Sequence, residues 1–350
     1  MLAAAVPSAD LSVSTRFGIA RSRSFDEVRE EVARRAGLAV RNVTVAASAL
    51  RMSEVGTIDV PHVGSFALTE WSKSQLSREL GIRWERWFQD ELVSPTQRAE
   101  EINRRLARSS TSWVVRLRRH AADEPGAGDG VLRGFVGTHY LPIDDERVFD
   151  RLTWALGTRT QVLRFARAEE TDRTSQYLAI TEEDVDLGAE KPDPHRNGFL
   201  IRNSEVGGAS LWIIEYLFRL ICANGLTVAI SGRPVFRKPH RGSDPNRLDR
   251  DLSYALAQLP SRWERGQALL RAARLEHLEK PEEFLRNALA DEPGARTRVA
   301  AVLAAFRMEP DHTLFGAIQS ITRAAQDFGP EGRFELEQLA GRLLAAGTSS

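Results

Sequence analysis

The sequence is poor in the residues that announce covalent or metal chemistry. A single cysteine, Cys222, in 350 residues excludes an intramolecular disulfide and a cysteine-based zinc site. It sits in an apolar run with no neighbouring His or Lys and reads as a buried structural thiol. Net charge is also absent, because 48 Lys+Arg offset 48 Asp+Glu. That excludes a polycation coating nucleic acid over its whole surface and leaves only local basic patches. No GxxxxGK[ST], GxGxxG, HExxH or GxSxG motif is present, so the common phosphate-loop, dinucleotide, zincin and hydrolase readings lose their signatures. The histidines, at 62, 120, 139, 195, 240, 277 and 312, form no i, i+2 or i, i+4 pair, and neither a metal nor a cofactor is expected. The most apolar run, 211–230, contains Glu215, Arg219, Asn224 and Gly225. Each is costly in lipid, so the run reads as core and no membrane partner is expected. The opening MLAAAVPSADLSVS has no basic residues before its apolar part and is broken at Pro7 and Asp10. It does not read as a secretory signal, and a cytoplasmic location is expected.

What is present is clear helix punctuation. Ser24 with Glu27, and Ser94-Pro95 with Gln97, have the form of capping boxes opening two helices. A further helix is predicted over about 68–80, ending near Gly81, and another from Asp144 to about Gly157. Strands are predicted over 38–50, 112–120, 131–137 and 160–168, and within the acidic stretch 169–193. Two longer ones, 198–203 and 209–222, are joined by Ser204-Glu205-Val206-Gly207-Gly208. Beyond a basic connector at 233–250 the pattern is helical throughout, near 247–258, 261–279, 281–290, 295–306, 311–326 and 331–346, with Asp311 as an N-cap. The fold class is therefore α+β: an antiparallel sheet with N-terminal flanking helices and a C-terminal all-helical lobe. The expected division is 1–60 for an N-terminal helix and strand, 61–235 for the α+β core and 236–350 for the lobe.

Charge patterning supplies the functional lead. Between Arg98 and Arg119 seven arginines face only Glu100 and Glu101, and the 233–250 connector carries six basic residues against two acids. Arg104 and Arg108 share a helix face at i, i+4, while Arg116 and Arg118 share a strand face at period two. Together with Lys238, His240 and Arg241 they are the candidate contacts to a phosphate backbone, since guanidinium groups bind phosphate bidentately. The competing reading has these arginines paired with the acidic 169–193 stretch, where nine acids face two bases. Three further features carry two readings each. The Ser204–Gly208 segment is a positive-φ turn or a backbone anion nest. Asp144-Asp145-Glu146 caps a helix or holds Mg²⁺. Tyr140 is a packed core residue or a stacking platform.

Several segments, in order, resemble the phage- and plasmid-associated domain of unknown function 932. They are FALTEWSKSQLSRELGI (66–82), the Asn103–Leu106 helix end, LRGFVGTHYLPIDDERVF (132–149), NSEVGGASLWIIEYLFRLICANGL (203–226), KPHRG (238–242) and AIQSITRAAQ (317–326). Gly137-Thr138-His139-Tyr140 departs from the family's usual residues before that Tyr. The resemblance implies a mobile-element context and carries no catalytic residues. Joined to the arginine pattern, it supports a non-enzymatic, oligomeric nucleic-acid-binding protein, holding or annealing single-stranded DNA. The alternatives are a protein-interaction factor built on the 295–326 helices, and a metal-dependent nuclease using Asp144, Asp145, Glu205 and a His.

Overall fold

The computed structural model describes residues 22–83, 88, 92–122, 126–188, 191–220, 226–230, 233–242 and 245–347; Cys222 lies outside them. In chain order the elements are β1 (Arg23–Ser24), α1 (Phe25–Gly37), β2 (Ala39–Ala46), β3 (Arg51–Met52), β4 (Thr57–Val60), β5 (Gly64–Leu68), α2 (Glu70–Glu79) and α3 (Pro95–Arg108). There follow β6 (Ser112–Arg119), β7 (Gly130–Gly137), α4 (Asp145–Leu156), β8 (Leu163–Glu170), β9 (Ser175–Asp186), β10 (Pro194–Asn203), β11 (Leu211–Arg219), β12 (Leu226–Ala229) and β13 (Phe236–Lys238). The C-terminal helices are α5 (Pro245–Ala257), α6 (Leu259–Leu275), α7 (Pro281–Leu289), α8 (Ala295–Met308), α9 (Leu314–Ala325) and α10 (Pro330–Gly347).

The architecture is α+β, with the strands divided between two sheets instead of one. One sheet runs β2-β6-β7-β5-β4-β3, antiparallel except for the parallel β5–β7 pair. The other runs β1-β8-β9-β10-β11-β12 and is antiparallel throughout, with β13 sharing the far edge of β11 with β12. Local chemistry explains the flanking helices. Ser24 and Glu27 exchange reciprocal cap bonds at the start of α1, as Ser94 and Gln97 do at α3. At α9 the cap is Thr313, whose Oγ1 accepts from Gly316 N; Asp311 instead accepts from the Thr313 hydroxyl and N–H.

Period two on β6 works as expected. Trp113, Val115 and Leu117 enter the core shared with Ile102 and Leu106 of α3 and Leu76 of α2, which sends Arg116 and Arg118 to the opposite face. In the second sheet, Phe165, Tyr177, Phe199 and Ile213 pack with Phe25, Phe149 and Leu252 from α1, α4 and α5. Leu178, Leu200, Ile214 and Tyr216 on the other face meet Phe334 of α10. The helical lobe therefore reaches both faces of this sheet. Charge fixes it there. Arg167 of β8 donates to Glu337 of α10 at 2.6 Å, with the side chains 7% and 0% exposed, and Tyr216 OH donates to the same carboxylate at 3.0 Å.

Removing one partner of a buried ion pair strands the other, at a cost of about 3–5 kcal/mol. Glu337→Ala is therefore expected to lower the urea-unfolding free energy by that amount. The double variant Arg167→Met/Glu337→Leu, which strands no charge, is expected to unfold near the native midpoint.

Candidate functional site

The Ser204–Gly208 segment is the β10–β11 turn, and its backbone is consumed internally. Gly207 stands at φ +77°, in the region glycine enters without steric cost. A Cβ on Gly208 would lie 2.4 Å from Arg173 Cγ. Ser204 Oγ accepts from Gly208 N at 2.7 Å and from Val206 N at 3.3 Å, so these N–H groups are already paired and the turn reading holds. Far from being a solvent hairpin, the turn is plugged into the first sheet's helix. Trp71 Nε1 and Gln75 Nε2 of α2 both donate to Val206 O, at 3.1 and 3.0 Å. Gln75 Oε1 accepts from Phe135 N of β7.

Glu205 carries the turn's charge inward. Its Oε2 accepts from Arg133 at 2.5 Å, and its Oε1 accepts from the Asp145 N–H at 2.9 Å, capping α4 from a distant part of the chain. Burial alone would raise this carboxyl, but Arg133 and the helix N–H outweigh burial and hold it below the usual carboxylate range. Asp145, buried, accepts from Ser175 Oγ, Asn203 Nδ2 and Tyr177 OH at 2.8–2.9 Å. Burial first, and the Glu205 charge second, push it up to about 6. Asp144 occupies the N-cap position of α4 but makes no cap bond, because its carboxylate pairs with Arg116. The three acids do converge, each engaged by protein donors. Among the described residues no group of three or more His, Cys, Asp or Glu is arranged to hold a metal ion.

The sequence candidates separate into four groups. Arg116 is 7% exposed and bonded to Asp144 and Asn42, and Arg118 lies 3.5 Å from Glu170, so both serve the junction between the sheets. Arg104 and Arg108 are exposed on α3, with Arg104 paired to Glu101. Lys238 is half-buried on β13. Only His240 and Arg241 line the large cavity, an open groove of about 1020 Å³ walled by the Ser204–Gly208 turn, the 137–140 segment, 237–242 and the start of β11.

The groove's chemistry is one-sided. Arg78, Arg202, Arg237, Arg241, His139 and His240 line it, with Tyr140 and Trp212, and among the described lining residues there is no Asp or Glu. Arg202 is tied to Glu331. Arg78, Arg237 and Arg241 stand exposed. Tyr140 is the packed residue of its two readings: its hydroxyl donates to Ser204 O at 2.8 Å, and His240 stacks on its ring at 4.9 Å with 2° between planes. The His240 ring nitrogens face Leu141 O and Asn203 Oδ1 at 3.2 and 3.1 Å. Burial, aided by Arg116, lowers its pKa to about 4.

Arg78, Arg202 and Trp212 were invisible as site residues in the sequence. Register reveals two of them, since Trp212 faces Arg202 across β10 and Arg237 across β13, a row that no linear spacing encodes; Arg78 reaches the groove from α2.

Among known families, the sequence model described as Domain of unknown function (DUF932) matches residues 133–340. The turn, the 137–140 segment and 237–242 fall inside that span, whereas 66–82 and 103–106 precede it. No curated protein and no solved structure matches the chain.

Because the folded pKa of Asp145 lies above its ordinary 3.8, its proton is held more tightly in the native state. Its contribution to stability therefore declines as pH rises from about 4 to about 6. His195 and His240, held near 4 by burial, act in the opposite sense, adding stability above about 6.5 that is lost on acidification, and cancel when two variants are compared. Urea titrations of Asp145→Asn and the native chain are expected to shift in the variant's favour by up to about 3 kcal/mol between pH 4 and pH 7.

Proposed function

The chain belongs to the DUF932 family, and from that premise and the make-up of its groove we propose that it is a non-enzymatic nucleic-acid-binding protein that holds single-stranded DNA. The observation that carries this reading is the groove itself: about 1020 Å³, four arginines and two histidines along its walls, an indole at its edge and no acid among its described lining residues. A polyanion neutralises such a surface and releases its own counterions in doing so. A single strand also presents flat bases to the aromatic side chains. In this reading the protein acts in the cytoplasm on nucleic acid of a phage or plasmid, and as a homo-oligomer it lines up strands for annealing.

The geometry supports the alternatives less. A nuclease needs carboxylate oxygens free for a metal, whereas those of Asp145 and Glu205 already accept five protein donors. A docking lobe needs an apolar stripe over 295–326. There Met308 is the one large apolar side chain that stands exposed among the described residues.

Fluorescence anisotropy with a labelled single strand across a salt series tests the proposal. Binding is expected to weaken steeply with salt. Arg237→Glu/Arg241→Glu is expected to bind more weakly and to flatten the log–log salt slope by about 1.4, the share of two phosphate contacts on a single strand. Arg104→Glu/Arg108→Glu, outside the groove, is expected to bind like the native protein. No binding at low salt would overturn the reading.

A further inference from the structure

We propose that Trp212 is the base-stacking platform of the groove and that Arg237 is its displaceable cover, moving from the indole to the phosphate when a nucleobase enters. The inference rests on the reading of the groove as a single-strand site and assigns the residue that would meet the bases.

Three observations converge on Trp212. The first is its place in the sheet. It lies at the centre of a cross-strand row, opposite Arg202 of β10 and Arg237 of β13, and all three line the groove. Side chains of directly paired residues share one face, so the row sets an indole between two guanidinium groups.

The second is how the indole is held. Phe334 of α10 meets Trp212 edge-on, with centroids 5.7 Å apart and planes at 65°. Phe334 is in turn covered by Arg202 at 4.5 Å, whose guanidinium is anchored by Glu331, and Glu331 also accepts from Thr174. The first turn of α10 thus braces the indole from one side, and a platform held before binding loses little freedom on binding.

The third is what covers the ring. The Arg237 guanidinium lies 5.3 Å from the Trp212 centroid. A planar cation over an indole occupies the kind of space a planar base would take. Unlike Arg202, Arg237 is exposed, and no carboxylate among the described residues holds it in place. Cation–π attraction at an exposed site is weak, so a base can take the ring while the freed guanidinium pairs with a phosphate of the same strand. Tyr140 does not offer this, because His240 already stacks on it and its hydroxyl is bound to the turn.

The test combines intrinsic tryptophan fluorescence with affinity, using an oligothymidylate and an abasic oligomer of equal length. The oligothymidylate is expected to quench the native protein. Trp212→Phe is expected to lose that part of the quench, and Trp212→Ala to bind about ten- to a hundredfold more weakly. The abasic strand is expected to bind with a similar salt slope but without the quench. Arg237→Ala is expected to keep the quench and flatten the slope by about 0.7. Quench and affinity unchanged in Trp212→Phe and Trp212→Ala, with salt-dependent binding intact, would overturn the platform and leave the groove standing. Failure of both oligomers to bind at low salt would remove the groove reading, and the platform with it.

Discussion

The structure depends on a partly buried charge cluster where the two sheets meet. Glu205, at the tip of the β10–β11 turn, is held between Arg133 of the first sheet and the N-terminus of α4. Beside it Asp145 collects Ser175, Tyr177 and Asn203 from the second sheet. Arg35 and Arg133 both reach Glu170, and Arg35 also donates to Tyr177. Buried ions are tolerated only where each is paired and hydrogen-bonded, so the cluster admits one relative placement of turn, helix and sheets. That placement builds the groove wall, because the turn that carries Glu205 also contributes Gly207 and Gly208 to the lining.

The same constraint sorts the arginines. Those on the inward-turned face of the first sheet, Arg116, Arg118 and Arg133, are spent on Asp144, Glu170 and Glu205. Those outside the junction that line the groove, Arg78, Arg237 and Arg241, keep their guanidinium groups exposed. A chain of zero net charge can thus present a strongly basic local surface, because no acid stands among the described residues that line the groove.

Local chemistry was legible in the sequence. Ser24 and Ser94 open helices through the expected reciprocal bonds, the six C-terminal helices lie where their periodicity puts them, and Gly207 takes the positive φ its turn requires. Pairing was not legible. Arg116 and Arg241 are equivalent as letters, and only the fold brings Asp144 to the first and leaves the second at the groove. Asp144 illustrates the same limit, since a cap signature at the right position was overridden by a buried arginine. The division of strands into two sheets was hidden for a related reason: alternation reports which face is buried, not which strand is its neighbour. Trp212 was unreadable because its neighbours, Arg202 and Arg237, are set by cross-strand register. The connector's basic character did point at 238–242, and there His240 and Arg241 line the groove.

The central claim is that the junction absorbs one set of arginines while the groove offers another to a nucleic-acid strand. Photocrosslinking a 4-thiothymidine-substituted single strand to the protein, with the modified peptides mapped by mass spectrometry, tests it most directly. The account predicts crosslinks within 202–212 and 236–242, the strand ends and connector that line the groove. Crosslinks confined to Pro95–Arg108 and Ser112–Arg119, with none in the groove, would contradict it.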